Sequence, residues 1–382
     1  MGNCDSSEKS HHSKNTSKLE ISKNNDEYFS NLSSSSLPPT SSSYLNKKNN
    51  VNLLKKHYST EKKYPLKKEQ YLLPENIAKR EDITKKYKLT NKIIGSGATC
   101  TVYLGENSSG EQFAIKRIPK VNIFTRQNAI MKESEICLKL NHKNIIKYYE
   151  IYEDINFINI IMELGDTDLF ELIINSPSGV ISGDLALDIL SQIFEVIDYL
   201  HNVVNIIHCD IKPENFVIKF DKNNGNKPIL KLVDFGNSRK KPKNNERVYH
   251  FCGTKEYMAP ESFEKCGFNE KVDEWAAGVI MFNMLTGTDP FTGDNESDFK
   301  NNINFQKIQF ENIKNESLRE LNKKLLNRCI NNRITSKEAL EEIKQIKNKL
   351  KLNKVSIKSS LIEKRKYLDK ISNELSKKNK VC

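Results

Sequence analysis

His208-Cys209-Asp210-Ile211-Lys212-Pro213-Glu214-Asn215 puts an acid, a lysine and an amide within a short stretch, and Asp234-Phe235-Gly236 follows behind the apolar run Ile229–Val233. Working outward toward the N-terminus, Ile94-Gly95-Ser96-Gly97-Ala98-Thr99-Cys100-Thr101-Val102 lies between two strand-like runs, and Phe113-Ala114-Ile115-Lys116 ends the second. Glycines let a backbone turn tightly and bring its N–H groups close to phosphate oxygens. A lysine ending an apolar strand is costly to bury unless an anion meets it. Taken alone, the glycine segment reads better as an ordinary hairpin turn and Lys116 as a lysine reaching solvent, and either later motif could be a loop with solvated charge. Accidental occurrence of all four in this order would take several coincidences.

Together these residue types suit phosphoryl transfer. That reaction asks little covalent chemistry of a protein: a carboxylate to orient the attacking hydroxyl, metal ligands, and cations on the phosphates. Asp210 can serve the hydroxyl, Lys212 the γ-phosphate, and Asn215 with Asp234 the Mg²⁺ ions that accompany ATP.

The chain divides into three parts. Residues 1–86 are rich in Ser, Asn and Lys and poor in apolar residues, so they are expected to be a disordered extension, with a short helix at most before Tyr87. Strand-like runs follow at Lys88–Ile94, Thr101–Glu106, Gln112–Ile118, Ile145–Glu153 and Phe157–Glu163, interrupted by one helical segment at 126–140. Beyond Leu169 the pattern is mainly helical. Leu187, Leu190, Ile193, Phe194, Ile197 and Leu200 recur at three- and four-residue steps, and Asp273–Leu285 is apolar enough for a buried helix. A β-rich part followed by an α-rich part predicts an α+β fold of two lobes, about 87–164 and 165–345, with a cleft between them.

Composition narrows the setting. The 382 residues carry a formal net charge of +12, which favours anionic partners such as ATP, acidic lipid or nucleic acid. The eight cysteines form no C-x-x-C pair and no His cluster has zinc-ligand spacing, which suits a reducing compartment. No apolar run approaches a membrane span and no secretory signal opens the chain, so a cytoplasmic protein is expected.

With these motifs in order, residues 88–345 resemble the protein kinase family. The resemblance extends to Gly253-Thr254-Lys255-Glu256-Tyr257-Met258-Ala259-Pro260-Glu261 and to Asp273-Glu274-Trp275-Ala276-Ala277-Gly278. It implies a small β-rich N-lobe and a larger helical C-lobe, with ATP under a loop formed by Ile94, Gly95, Ser96, Gly97 and Val102 and beside Ala114. It implies that Glu261 pairs with Arg333 and that Asp273 braces the catalytic loop. Lys116 is expected to pair with a helix glutamate, for which Glu133 and Glu135 compete; they sit roughly 200° apart on a helix, so only one can face it. Counting back from Leu140-Asn141-His142 selects Glu133. Met162 would guard the adenine pocket, Glu163 and Leu164 would present backbone groups to adenine, and Asp168 would reach the ribose or simply stabilise a helix start.

Lys212 and Thr254 imply serine/threonine specificity, and Glu214 with Asp168 a preference for basic residues upstream of the target hydroxyl. The texture is closest to the calcium/calmodulin-dependent and protist calcium-dependent kinases, yet no EF-hand is present. Asp221-Lys222-Asn223-Asn224-Gly225 lacks the terminal glutamate and reads as a hairpin turn. Two departures stand out: Cys100 for the third glycine, and Cys209 for the arginine before the catalytic aspartate. Without that arginine, activity is expected to depend less on phosphorylation at hydroxyls such as Ser238, Tyr249 and Thr254.

Met1-Gly2-Asn3-Cys4-Asp5-Ser6 fits N-myristoylation at Gly2, with Cys4 open to palmitoylation. Membrane association through these two sites is the expectation, since one myristoyl chain alone holds weakly. Residues 346–382 form a basic tail with helical spacing at Leu361, Leu368, Ile371 and Leu375, open to a solvated, calmodulin-binding or membrane-contacting role. The expected partners are protein substrates, the membrane and a regulator at the tail, with no specific nucleic acid. The expected function is a serine/threonine protein kinase using Mg-ATP; its rival is a membrane-tethered pseudokinase scaffold.

Overall fold

Five runs rich in β-branched and aromatic residues build the first layer. They are β1 (Tyr87–Ser96), β2 (Thr101–Asn107), β3 (Gln112–Pro119), β4 (Tyr148–Glu153) and β5 (Phe157–Met162), paired antiparallel in the order β1-β2-β3-β5-β4. The computed structural model describes residues 71–97, 100–120, 127–243, 246–249, 253–264 and 267–352. The β2–β3 hairpin closes on Asn107, whose side-chain oxygen accepts from the amides of Ser109 and Glu111, both at 3.0 Å. Gly110 there has φ +77°, a conformation that L side chains rarely adopt. β3 is flanked on both sides, so Phe113, Ala114, Ile115 and Lys116 are all buried.

α1 (Gln127–Cys137) follows β3 and stops three residues short of the expected 140, where a turn begins. The strand expected from Ile145 starts only at Tyr148. Ahead of it the Asn144 amide donates to the His142 ring. Ile146 and Asn144 then bond the backbone of Leu232 in the second lobe, so 144–146 stitch the lobes together.

The second lobe holds α2 (Leu169–Ile174), α3 (Gly183–Tyr199), α4 (Lys271–Thr286), α5 (Glu296–Phe305) and α6 (Glu316–Leu325), and residues 336–352 are also helical. Leu187, Leu190, Ile193, Phe194 and Ile197 form the buried stripe of α3, as the three- and four-residue spacing predicts. α4 is buried nearly all round, which explains why its sequence lacks a polar face. β6 (Thr167–Asp168), β8 (Phe216–Asp221) and β9 (Lys227–Leu232) make a three-stranded sheet under the cleft. β7 (Ile206–Ile207) pairs with β10 (Arg239–Lys240). Asp221–Gly225 is the β8–β9 turn, with the Asp221 carboxylate accepting from the Asn223 amide and Gly225 left-handed, as a hairpin reading requires.

Two boundaries move. Residues 71–86, assigned from sequence to the extension, pack on the first lobe. Leu73, Ala78 and Ile83 are buried, and the expected short helix is a single 3₁₀ turn at Ile83–Lys85. Their few apolar residues find a ready-made surface, a gain that no local period reveals. At the other end the helix that starts at 336 runs past 345 to 352 with Ile343 and Ile346 buried, so the tail begins as part of the lobe. Gly2, Cys4 and the tail positions Leu361, Leu368, Ile371 and Leu375 lie outside the described residues.

Candidate active site

Lys116 projects from β3 into the cleft, where Nζ meets Glu133 Oε1 of α1 at 2.5 Å and Asp234 Oδ1 at 3.1 Å. α1 turns Glu133 inward with Ser134 and Cys137; Glu135 is half-buried and makes no ion pair among the described residues. Of the two candidate glutamates, it is Glu133 that meets Lys116. Burial pushes the Glu133 carboxyl above its usual range although Lys116 opposes the shift, whereas Lys116 holds the Asp234 carboxyl below its usual range. Two carboxylates on one buried lysine also hold Lys116 firmly protonated against its burial.

The start of the His208–Asn215 segment is braced from beneath by α4. Asp273 accepts from the amides of His208 at 2.8 Å and Cys209 at 2.9 Å, and from the His201 ring at 2.8 Å. This explains how a non-glycine residue is kept at φ +66°, the conformation of Cys209. Asp234 is likewise left-handed at φ +65°. Such a backbone costs on the order of 1–3 kcal/mol and persists where the surroundings over-determine it. Phe235 behind it is fully buried, edge-on to the His208 ring at 5.1 Å.

Around Asp210 the contacts form a chain. Lys212 Nζ donates to Thr254 Oγ1 at 2.8 Å, and that hydroxyl donates to Asp210 Oδ1 at 2.7 Å. Asn215 donates to the Asp210 carbonyl at 2.8 Å, which leaves its side-chain oxygen turned away from that bond. Asn237 donates to Asp210 Oδ2 at 3.3 Å. Asn237 escaped the sequence reading: its only signal is its place just after Gly236. The Asp234 side chain remains 44 % exposed toward the cleft. An amide oxygen and a half-exposed carboxylate oxygen are hard donors of the kind Mg²⁺ takes, so these residues fit that ion. No group of three His, Cys, Asp or Glu side chains among the described residues could hold a metal by itself.

The apolar part of the cleft is lined from both lobes. Cys100, Val102, Ala114, Met162 and Leu164 share one cluster with Val217 and Val233. Val217, on β8, is the floor residue that sequence reading missed. Gly165 allows the crossing segment to lie on it, since a Cβ there would sit 2.0 Å from the Val217 side chain. The Glu163 amide is taken by the Lys147 carbonyl at 2.8 Å, while no hydrogen bond engages the Leu164 amide among the described residues. The Glu163 side chain turns to Lys219 and Lys231. Asp168 caps α2 by accepting from the Glu171 amide at 2.8 Å, so a ribose contact would share a carboxylate already in structural use. Above the cleft Gly95 and Ser96 end β1, Ile94 is exposed, and the Gly97 amide donates to the Cys100 carbonyl at 2.9 Å. Ala98 and Thr99 lie outside the described residues. Burial pushes the Cys100 thiol up, away from a reactive thiolate.

Below the cleft, Arg333 clasps Glu261 in a bidentate pair at 2.6 and 2.9 Å, as the resemblance implied.

A two-lobed α+β domain with this cleft and these charged clusters defines the class. The model for the protein kinase domain matches residues 88–343, and the chain belongs to the protein kinase family. Among curated relatives it is 32% identical over 237 residues to serine/threonine-protein kinase dkf-2 of Caenorhabditis briggsae, covering 61% of this chain and 20% of that one. It is 36% identical over 204 residues to the Aurora kinase of Saccharomyces cerevisiae, covering 52% of this chain and 53% of that one. It is 35% identical over 217 residues to calcium-dependent protein kinase 6 of Plasmodium berghei, covering 57% and 14%. The matched region thus spans about half or less of the length of these relatives.

Proposed function

We propose that this chain is an active serine/threonine protein kinase transferring the γ-phosphoryl group of ATP to protein hydroxyls. One observation carries the reading: Lys116, Glu133 and Asp234 are assembled in the same cleft as the Lys212–Thr254–Asp210 chain. Lys116 would fix the ATP phosphates, while the Leu164 amide would anchor adenine between Val102, Ala114 and Val217. Asp210 would orient the acceptor hydroxyl. Its oxygen bonds to the γ-phosphorus as the bond to the β-phosphate oxygen breaks and ADP departs, and the hydroxyl proton passes to Asp210. Lys212 would offset charge on the phosphoryl oxygens in flight. Asn215 and Asp234 would hold Mg²⁺, whose charge neutralises the phosphates when bound.

Four finer readings belong to the same proposal. The Lys212–Thr254 bond supports hydroxyls of serine and threonine as acceptors. A preference for basic residues is supported by Glu214, whose Oε2 is buried with no partner among the described residues, close to Asp168 and its neighbour Glu171. A peptide library without selection for Arg or Lys would remove it. Gly2 acylation, reinforced at Cys4, would bring the kinase to membranes; retention of a Gly2→Ala variant there would disprove this. A regulator such as calmodulin at the basic tail would be seen as calcium-dependent binding.

The decisive assay is phosphate transfer from Mg-ATP to a basic serine peptide, with Asp210→Asn as the blank. Activity above the blank supports the enzyme. ATP binding without transfer to any library peptide would favour the pseudokinase scaffold instead.

A further inference from the structure

Glu153, the last residue of β4, has a fully buried carboxylate that belongs to no part of the cleft. Four groups converge on it. Oε1 accepts from the Leu72 amide at 2.6 Å and meets Lys120 Nζ at 2.6 Å; Oε2 accepts from the Leu73 amide at 3.0 Å and from Arg80. Arg80 also donates to the Leu73 carbonyl, and Lys120 to the Asp154 carbonyl at 2.9 Å. The backbone joins in: Lys79 donates to Ile151, and Glu153 donates back to Lys79, both at 2.9 Å. Residues 72–80 are thus laid along the edge strand β4 and tied to Lys120, the residue that ends the run from β3 toward α1.

The segment also reaches α1 directly. Leu73 and Ala78 lie in one apolar cluster with Ile130 of α1, together with Ile118, Ile151, Ile158 and Ile160; Met131 packs against it. Ile130, Glu133, Ser134 and Cys137 form the buried stripe of α1 at three- and four-residue steps. The surface that holds Ile130 is therefore on the same side of the helix as the carboxylate facing Lys116.

We propose that Glu153 is a positioning residue: its carboxylate clasps residues 72–80 across β4, and the clasped segment, through Ile130, fixes Glu133 against Lys116. The inference rests on the kinase reading for its effect on turnover, but the clasp itself does not. Burying several charges returns little net stability, because desolvation offsets their attraction; what such a cluster supplies is a single arrangement. Here that arrangement is the placement of α1. The flank ahead of residue 87 thereby becomes a positive element of the active site.

The test uses the full chain with Glu153→Gln, and with Arg80→Met as a gentler variant that leaves Lys120 paired. Amide hydrogen exchange is read in residues 130–137 and in α4, well below the unfolding temperature. Turnover is read alone and in a Glu133→Gln background. Exchange in 130–137 should rise by about tenfold with α4 unchanged, and kcat should fall by about tenfold, with the Arg80 variant in the same direction. The double variant should be no slower than Glu133→Gln alone, since both act through one ion pair. Unchanged exchange in α1, equal acceleration in α1 and α4, or losses that multiply would each overturn the proposal. Should the wild type show no transfer, the exchange result still decides the clasp, separately from the kinase reading.

Discussion

Two buried charge clusters sit on either side of the cleft floor and are built in opposite ways. Arg333 and Glu261 are closed off: the guanidinium has 0 % exposure, bonds both carboxylate oxygens and the carbonyls of Asn327 and Lys271, and lies 4.9 Å from the Trp275 ring centre. Every guanidinium nitrogen has an acceptor, and the pair is shut off from solvent. Lys116 instead has two carboxylates, one of them half-exposed to the cleft. The contrast separates a lock from a binding group. Both are family features in sequence, but only the second leaves charge for something else to meet.

The comparison can be broken most severely at the lock. Arg333→Met would leave Glu261 buried without its partner, costing on the order of 3–5 kcal/mol. The thermal midpoint should fall by roughly 10 °C while activity per folded molecule survives. Lys116→Met should do the reverse, lowering transfer by at least about a hundredfold with a smaller change in midpoint. Equal losses of stability in both variants would erase the distinction.

A third cluster sharpens it through pH. Lys79, Lys86, Tyr87 and Tyr152 all reach Glu150 on β4, and although its partial burial acts the other way, these bonds hold its carboxyl down to about 2. A carboxyl lowered on folding stabilises above its unfolded pKa, near 4.5, and loses that contribution as pH falls toward 2. Glu150→Gln should flatten the acid limb of a stability curve over that window and lower stability modestly at neutral pH. Because the site is open to water, the effect should be well below that of Arg333→Met.

The smallest effect concerns Cys209. It is buried, its thiol lies 3.8 Å from the Ile207 carbonyl, and its amide is held by Asp273. Ser238 is buried and the Thr254 hydroxyl is committed to Asp210 and Lys212. The residue before Asp210 is a cysteine, which carries no positive charge for a loop phosphate to meet. Phosphatase treatment should therefore leave activity within about twofold, read on protein whose phosphosites are mapped. A large loss traced to residues 236–259 would contradict this.

Much of the site was legible because its chemistry is carried by short contiguous motifs. Asp210, Lys212 and Asn215 are neighbours in sequence, and Asp234-Phe235-Gly236 is compact enough to be read without a fold. Val217 and Asn237 were not legible, since their roles come from where a strand and a turn bring them. In sequence Asp168 fits both a ribose contact and a helix-start acid, and the structure shows the cap.

The two-lobe order, the core stripe of α3, the all-round burial of α4 and the residue types suited to phosphate could be read from sequence, because periodicity and residue chemistry are local properties. Only the tertiary structure shows that Glu150 and Glu153 gather cations from distant segments and that residues 71–86 belong to the folded lobe. Burial is set by what packs on the other side. A segment with only scattered apolar residues can look too poor to fold until a sheet edge and a buried carboxylate meet it.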